Sequence, residues 1–241
     1  MAPERLPILG IPPHCVRERV LVCGDPARAE AIARRLRHCE HLSAAREYHS
    51  YNGSFNEVPL TVVSHGVGAP GAAVCFEELA RAGAREIIRV GTAGSLAPGL
   101  VLDGDLVIAE AAVRADGVTS QLIAPEYPAV ADHALTARLR RAAERGTRNT
   151  ACGVVLTIAA FYPGLEPLAN DYYSRANVVA VEMEAAALFV IGALRRVATA
   201  AVLAIDGVAV EFEAEAYNPN RKVVADAVEE AIELALTAVT A

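Results

Sequence analysis

Cysteine is sparse and ungrouped in this chain. Cys15, Cys23, Cys39, Cys75 and Cys152 are odd in number and never fall in C-x-x-C spacing, which argues against a disulfide framework or a structural zinc site and fits a reducing, cytoplasmic setting. Positive charge is in deficit: 22 Lys and Arg face 29 Asp and Glu, a net charge of −7. Nothing in that balance favours a nucleic acid or an anionic membrane as partner, so any anion bound must meet a local basic cluster. The longer apolar runs are broken by charge, Gly or Pro short of membrane length, and the opening residues MAPERLPILGIPP lack the basic-then-apolar order of a signal peptide. Dinucleotide and P-loop fingerprints are missing too. The glycines of Ser64-His65-Gly66-Val67-Gly68-Ala69-Pro70-Gly71 have the wrong spacing, and no Gly-Lys-Ser/Thr follows. Nucleoside triphosphate chemistry is not expected.

What the chain does have is apolar material, 54% of 241 residues, enough for one sizeable buried core. Short β-branched runs alternate with Ala-rich stretches of helical period, the pattern of strands covered by crossover helices. The expectation is a single α/β domain over residues 1–241, with a central, largely parallel or mixed β-sheet flanked by helices. Strands are expected at 19–23, 60–64, 86–90, 105–109, 153–157, 178–181 and 198–205, and helices at 26–37, 71–82, 132–145, 183–194 and 219–239. The last helix carries an apolar stripe and should pack on the sheet. Segment 207–220 is acidic, contains Pro and reads as a mobile loop.

Chemistry concentrates where strands end. In Val22-Cys23-Gly24-Asp25-Pro26-Ala27-Arg28 a strand runs into a Gly turn, a capping Asp and a Pro at the first helical position, with Arg28 beside the unpaired N–H groups. A phosphate-sized anion fits there, and so does an ordinary capped helix with a solvated Arg28. In Ile88-Arg89-Val90-Gly91-Thr92-Ala93-Gly94-Ser95 an Arg ends an apolar strand before a small-residue turn. Buried Arg needs an anion, either a ligand held with Thr92 or a carboxylate such as Glu77 or Glu78. His65 suits a local hydrogen bond better than base catalysis. Glu182-Met183-Glu184 stands where a strand gives way to a helix, a place for simple capping or for two carboxylates that could accept from a pair of sugar hydroxyls. Asp206 closes an apolar strand, the usual position for a working side chain in an open α/β sheet.

Taken in order, Gly24-Asp25-Pro26-Ala27-Arg28, Ser64-His65-Gly66-Val67-Gly68, Arg89-Val90-Gly91-Thr92-Ala93-Gly94, Phe161-Tyr162-Pro163-Gly164 and Val181-Glu182-Met183-Glu184-Ala185 closely resemble the nucleoside phosphorylase I family, and within it the hexameric branch of purine nucleoside and uridine phosphorylases. The resemblance implies cleavage of an N-glycosidic bond by inorganic phosphate, a co-substrate, with no metal and no organic cofactor. It places Gly24, Arg28, Arg89 and Thr92 at the phosphate, together with an Arg46 lent by a neighbouring subunit. It also places Met183, Glu184 and Glu182 at the ribose, Phe161 against the base and Asp206 at N7 of a purine, with Arg221 as its assistant. It implies a homo-oligomer, a dimer as the active unit and a trimer of dimers as the hexamer.

Four positions depart from the family pattern. Pro7-Ile8 replaces a Pro-His whose His meets a neighbour's ribose, which implies an apolar 5′ end. Leu165-Glu166-Pro167 lacks the Gln and Arg that read uracil. Ile158-Ala159-Ala160 lacks the Ser-Asp of purine members, and Arg221 has no secure register. Asp206 favours a purine base; the Phe-Tyr-Pro-Gly run and the 64–73 segment look more like uridine phosphorylase. A hydrolytic nucleosidase would not need the three arginines, and a nucleoside-binding protein with a decayed site is the alternative outside enzymology.

Overall fold

In the computed structural model, residues 4–210 and 217–241 are described, and the loop expected over 207–220 falls in part on 211–216, outside the described residues. Side chains alternate along the first strand, β1 (Arg19–Cys23): Val20 and Val22 enter one apolar core, Leu21 and Cys23 the other. That period-2 division recurs through the sheet and makes two large cores rather than one, beside a third small cluster of Leu96, Leu156, Val178, Val181 and Ala209. The strands are β1, β2 (Arg37–Ala45), β3 (Tyr48–Phe55), β4 (Val58–Ser64), β5 (Glu86–Ser95), β6 (Leu106–Ala115), β7 (Ala129–Val130), β8 (Thr150–Ile158), β9 (Ala180–Glu182) and β10 (Ala198–Val208). The helices are α1 (Pro26–Ala33), α2 (Ala69–Arg81), α3 (Thr119–Leu122), α4 (His133–Ala143), α5 (Asn170–Arg175), α6 (Ala185–Arg195) and α7 (Lys222–Thr240). Helices α2 and α6 fill one core through Phe76, Leu79, Leu188 and Phe189; α1, α4 and α7 fill the other through Ile32, Leu139 and Ile232. None of the described helices is long and apolar enough to cross a membrane.

The sheet is mixed, as expected. Parallel β4, β1, β5 and β10 form its centre, antiparallel β3 and β2 extend it on one side, and β6 pairs antiparallel with β10 on the other. From β6 the ladder runs on through β8 and β9 and returns to β5, so five strands close a ring. The ends of β1, β5, β8, β9 and β10 thereby meet around one opening.

Three local differences have physical causes. The helix expected over 26–37 stops at Ala33, and Arg37 opens the hairpin β2–β3. The small residues after Arg89 do not turn: β5 runs on to Ser95, paired with β10 along its length. A Cβ on Gly91 would stand 2.7 Å from Leu203 Cδ2 and 2.9 Å from the Arg89 guanidinium, and one on Gly94 would stand 2.5 Å from Ala209 Cβ. These glycines allow close packing within a strand. Finally, α6 begins at Ala185 because Glu184 lies at its N-cap with φ −143°.

Candidate functional site

The β1–α1 junction folds as its sequence implies. Pro26 begins the helix and Asp25 Oδ1 accepts from the Ala27 amide at 2.8 Å. This aims the first turn of α1 into a cleft of about 640 Å³, whose walls include Gly24, Arg28, Arg89, Thr92 and Asp206. Arg28 reaches from α1 to β5, where Nη1 donates to the Val90 carbonyl at 3.2 Å. Close packing around it holds its pKa below the usual arginine range. Arg28 and Arg89 thus face the same opening from separate elements.

Arg89 is almost wholly buried and paired. Its Nη2 meets Glu184 Oε2 and lies 3.3 Å from Glu182 Oε2, so the carboxylate partners are not Glu77 and Glu78. Helix α2 turns those two elsewhere: Glu77 pairs with Arg195 and Arg81, and Glu78 accepts from the Ile8 and Leu9 amides. Burial disfavours the Arg89 cation, but Glu184 and Glu182 outweigh it and raise its pKa. Glu182, expected at the ribose, lines the cleft with its oxygens already engaged. Its oxygens accept from the Glu184 and Ala185 amides, Thr157 Oγ1 and Arg89, because a carboxylate here caps α6. Glu184 carries fewer contacts: Oε1 accepts from the Gly68 amide, Oε2 meets Arg89, and burial raises its pKa despite the pull of Arg89. Met183 lies beside it on the wall.

His65 makes the expected local contact and one more. Nδ1 lies 2.9 Å from the Gly66 carbonyl and Nε2 lies 3.2 Å from Arg89 Nη1. Burial, then the Arg89 cation, push its pKa well below the ordinary histidine value. The ring is therefore neutral, Nδ1–H donates to Gly66, and Nε2 accepts from Arg89.

Asp206 lines the same cleft where the β10–β5 register shifts, between Ile205 and Gly207; such an irregularity re-aims a side chain. Burial raises its pKa, opposed by hydrogen bonds from the Tyr217 and Thr92 hydroxyls. Thr92 thus serves Asp206 while lining the cleft. Arg221 does not assist the Asp206 carboxyl. It pairs with Asp103 and donates to the main-chain carbonyls of Asn218 and Asp206, since its place at the N-cap of α7 turns it toward the 103 loop. Phe161 lines the cleft and meets Tyr162 and Tyr217 edge-on, at 5.0 and 5.5 Å between ring centroids.

Arg46 lies exposed at the β2–β3 turn with φ 57° and does not line this chain's own cleft, whereas its neighbour Glu47 is on the wall. Ile8 packs on the protein's own core. Sequence reasoning missed Tyr217, Glu47 and Asn170, all on the wall. Glu47 could have been found beside Arg46; Tyr217 lies in a segment with no periodicity to place it. Among the described residues no three His, Cys, Asp or Glu gather as a metal-holding group.

The model of one family, the phosphorylase superfamily, matches residues 18–240. A purine nucleoside phosphorylase of Plasmodium vivax is 39% identical over 202 residues, 83% of this chain and 82% of that protein. A uridine phosphorylase of Treponema pallidum is also 39% identical, over 209 residues, 83% of this chain and 81% of that protein. The crystal structure of Toxoplasma gondii purine nucleoside phosphorylase in complex with immucillin-H superposes with a TM-score of 0.95 at 31% identity, covering 99% of this chain and 96% of that one. With a site of this geometry at the strand ends and a family match across nearly its whole length, the chain belongs to the phosphorylase superfamily, alongside purine nucleoside and uridine phosphorylases.

Proposed function

We propose that the protein is a nucleoside phosphorylase that cleaves the N-glycosidic bond of a purine nucleoside with inorganic phosphate, giving the free base and a pentose 1-phosphate. The observation that carries this is a single cleft whose wall brings together Arg28, Arg89 and Thr92, Glu184 and Met183, and Asp206 with Phe161. As the bond lengthens the sugar becomes cation-like and the base anion-like. Phosphate held by Arg28, Arg89 and the turn at Gly24 stabilises the first charge and attacks C1′. Glu184 accepts from the sugar hydroxyls, which fixes C1′ over the phosphate and makes attack effectively unimolecular. Asp206, kept protonated more readily by burial, donates to N7 of the departing base. Phe161 supplies a face for stacking.

The reaction so written needs no metal and no organic cofactor. Arg46, exposed on its turn, would reach the phosphate of a neighbouring subunit, in a dimer that builds into a hexamer. A cytoplasmic location fits the free thiols.

A uridine phosphorylase is the second reading, favoured by the apolar wall that Ile158 and Val208 supply near the base. It would have to read uracil without a Gln-Arg pair, because Leu165-Glu166-Pro167 stands in its place. Base release from inosine and from uridine, with and without phosphate, tests both readings. Phosphate-dependent hypoxanthine release, lowered about a hundredfold or more in Asp206→Asn, is expected. Release that ignores phosphate would indicate a hydrolase, and uridine cleavage that ignores Asp206→Asn would favour the second reading.

A further inference from the structure

The segment leading into α7 returns a tyrosine to the base end of the cleft. Tyr217 Oη donates to Asp206 Oδ2 at 2.7 Å, and its ring meets Phe161 edge-on at 5.5 Å. The same ring closes over Gly207, 3.6 Å from where a Cβ on that residue would stand. These contacts fix the phenol against the acid and the aromatic wall together. Asp206 needs such a hold, because it sits where the ladder with β5 loses register. Arg221 does not provide it, reaching only the main-chain carbonyl.

We infer that Tyr217 is a positioning residue for Asp206: its hydroxyl holds Oδ2 so that the carboxyl faces the leaving base, and it stabilises the carboxylate that forms when the acid gives up its proton. This rests on the phosphorolytic reading above. In the step concerned, a phosphate oxygen bonds to C1′ while the N9–C1′ bond breaks and its electron pair moves into the purine. The proton passes from Asp206 Oδ1 to N7; the hydrogen phosphate gives up its own proton to solvent once it is esterified, and Asp206 takes one back from solvent after the base departs. The Tyr217 hydrogen bond to a carboxylate is charge-assisted and stronger than one to a neutral acid. Its contribution therefore grows toward the transition state and appears in kcat.

The groups that face Asp206 are Arg28 from α1, Thr92 from β5, and Tyr217 and Arg221 from the segment before α7. Arg28 and the two hydroxyls favour the carboxylate; burial favours the acid and is the larger effect. Removing the phenol hydroxyl takes away one pull toward the carboxylate, so the proton is held to higher pH.

The test compares wild type, Tyr217→Phe and Asp206→Asn, with phosphate, from pH 5 to 10. One substrate is inosine; the other is 7-methylinosine, whose base is already cationic and needs no proton at N7. For inosine, Tyr217→Phe should lower kcat about tenfold and shift the alkaline limb of the pH profile up by about one unit, the worth of one hydrogen bond. The KM for phosphate and turnover of 7-methylinosine should stay at wild-type values. Superimposable pH limbs, or equal losses on the two nucleosides, would overturn the inference. Failure of the wild type itself to release base with phosphate would instead sink the underlying reading.

Discussion

Replacing Arg89 with Met removes the guanidinium that holds Glu182 and Glu184, both buried. Deleting one partner of a buried ion pair costs about 3–5 kcal/mol, because the other is left charged and unpaired. At roughly 2–4 °C per kcal/mol for a domain of this size, the melting temperature near pH 8 should fall by roughly 6–20 °C. The loss should also depend on pH. Burial already raises the Glu184 pKa against the pull of Arg89, and without Arg89 it rises further. A carboxyl whose folded pKa exceeds its unfolded one stabilises the fold below the unfolded value, and that stability is lost as pH rises through the folded pKa. The deficit of the variant is therefore greatest at pH 8 and shrinks toward pH 5. Adding Glu184→Gln should recover part of it, since the two sites are in contact and cannot be additive. Scanning calorimetry in phosphate-free buffer at fixed protein concentration measures all three proteins. A melting temperature equal to wild type at pH 8, or a deficit that does not change with pH, would refute the pairing.

Two further outcomes are expected. Gly91→Ala sets a methyl group 2.7 Å from Leu203 and 2.9 Å from the Arg89 guanidinium, so overpacking should cost about 1–3 kcal/mol in denaturant titration. The displaced arginine should also raise the KM for phosphate more than that for nucleoside; an unchanged phosphate KM would show that Arg89 does not touch phosphate. Arg221→Met removes a partly exposed pair with Asp103 and should leave kcat within about threefold of wild type, since exposed pairs are worth only about 0–1 kcal/mol. A loss comparable to that of Asp206→Asn would restore Arg221 to the machinery.

The central strands were legible because burial on both faces leaves apolar β-branched runs, and β1 matches its expected bounds to the residue. The β2–β3 hairpin was not. Its first strand is exposed along most of its length, so polar residues such as His38, Glu40 and His41 carry no alternating apolar signal to betray it. Arg89 and Asp206 were legible for the opposite reason, each a charged residue in or at the end of an apolar run, which burial makes costly unless it serves something; Arg28 was legible from the Gly turn, capping Asp and Pro that open α1. The partners were not legible, because Arg89 meets Glu184 only through the ladder that brings β9 beside β5. Glu182 and Glu184 look alike in sequence. Only the fold shows that both line the opening while Glu182 alone is spent on the α6 amides and Glu184 accepts from Gly68.

Ring closure by β5, β10, β6, β8 and β9 leaves β2 as the one long described strand with a neighbour on a single side. Its outward row of unsatisfied amides and carbonyls is a template on which a foreign chain could continue the hydrogen-bonding, the usual route to fibrous self-association. Arg37, His38 and Glu40 stand there in water, and burying those side chains against an identical copy would be costly. Neutral, branched replacements at these three sites would therefore endanger solubility well before they disturbed catalysis.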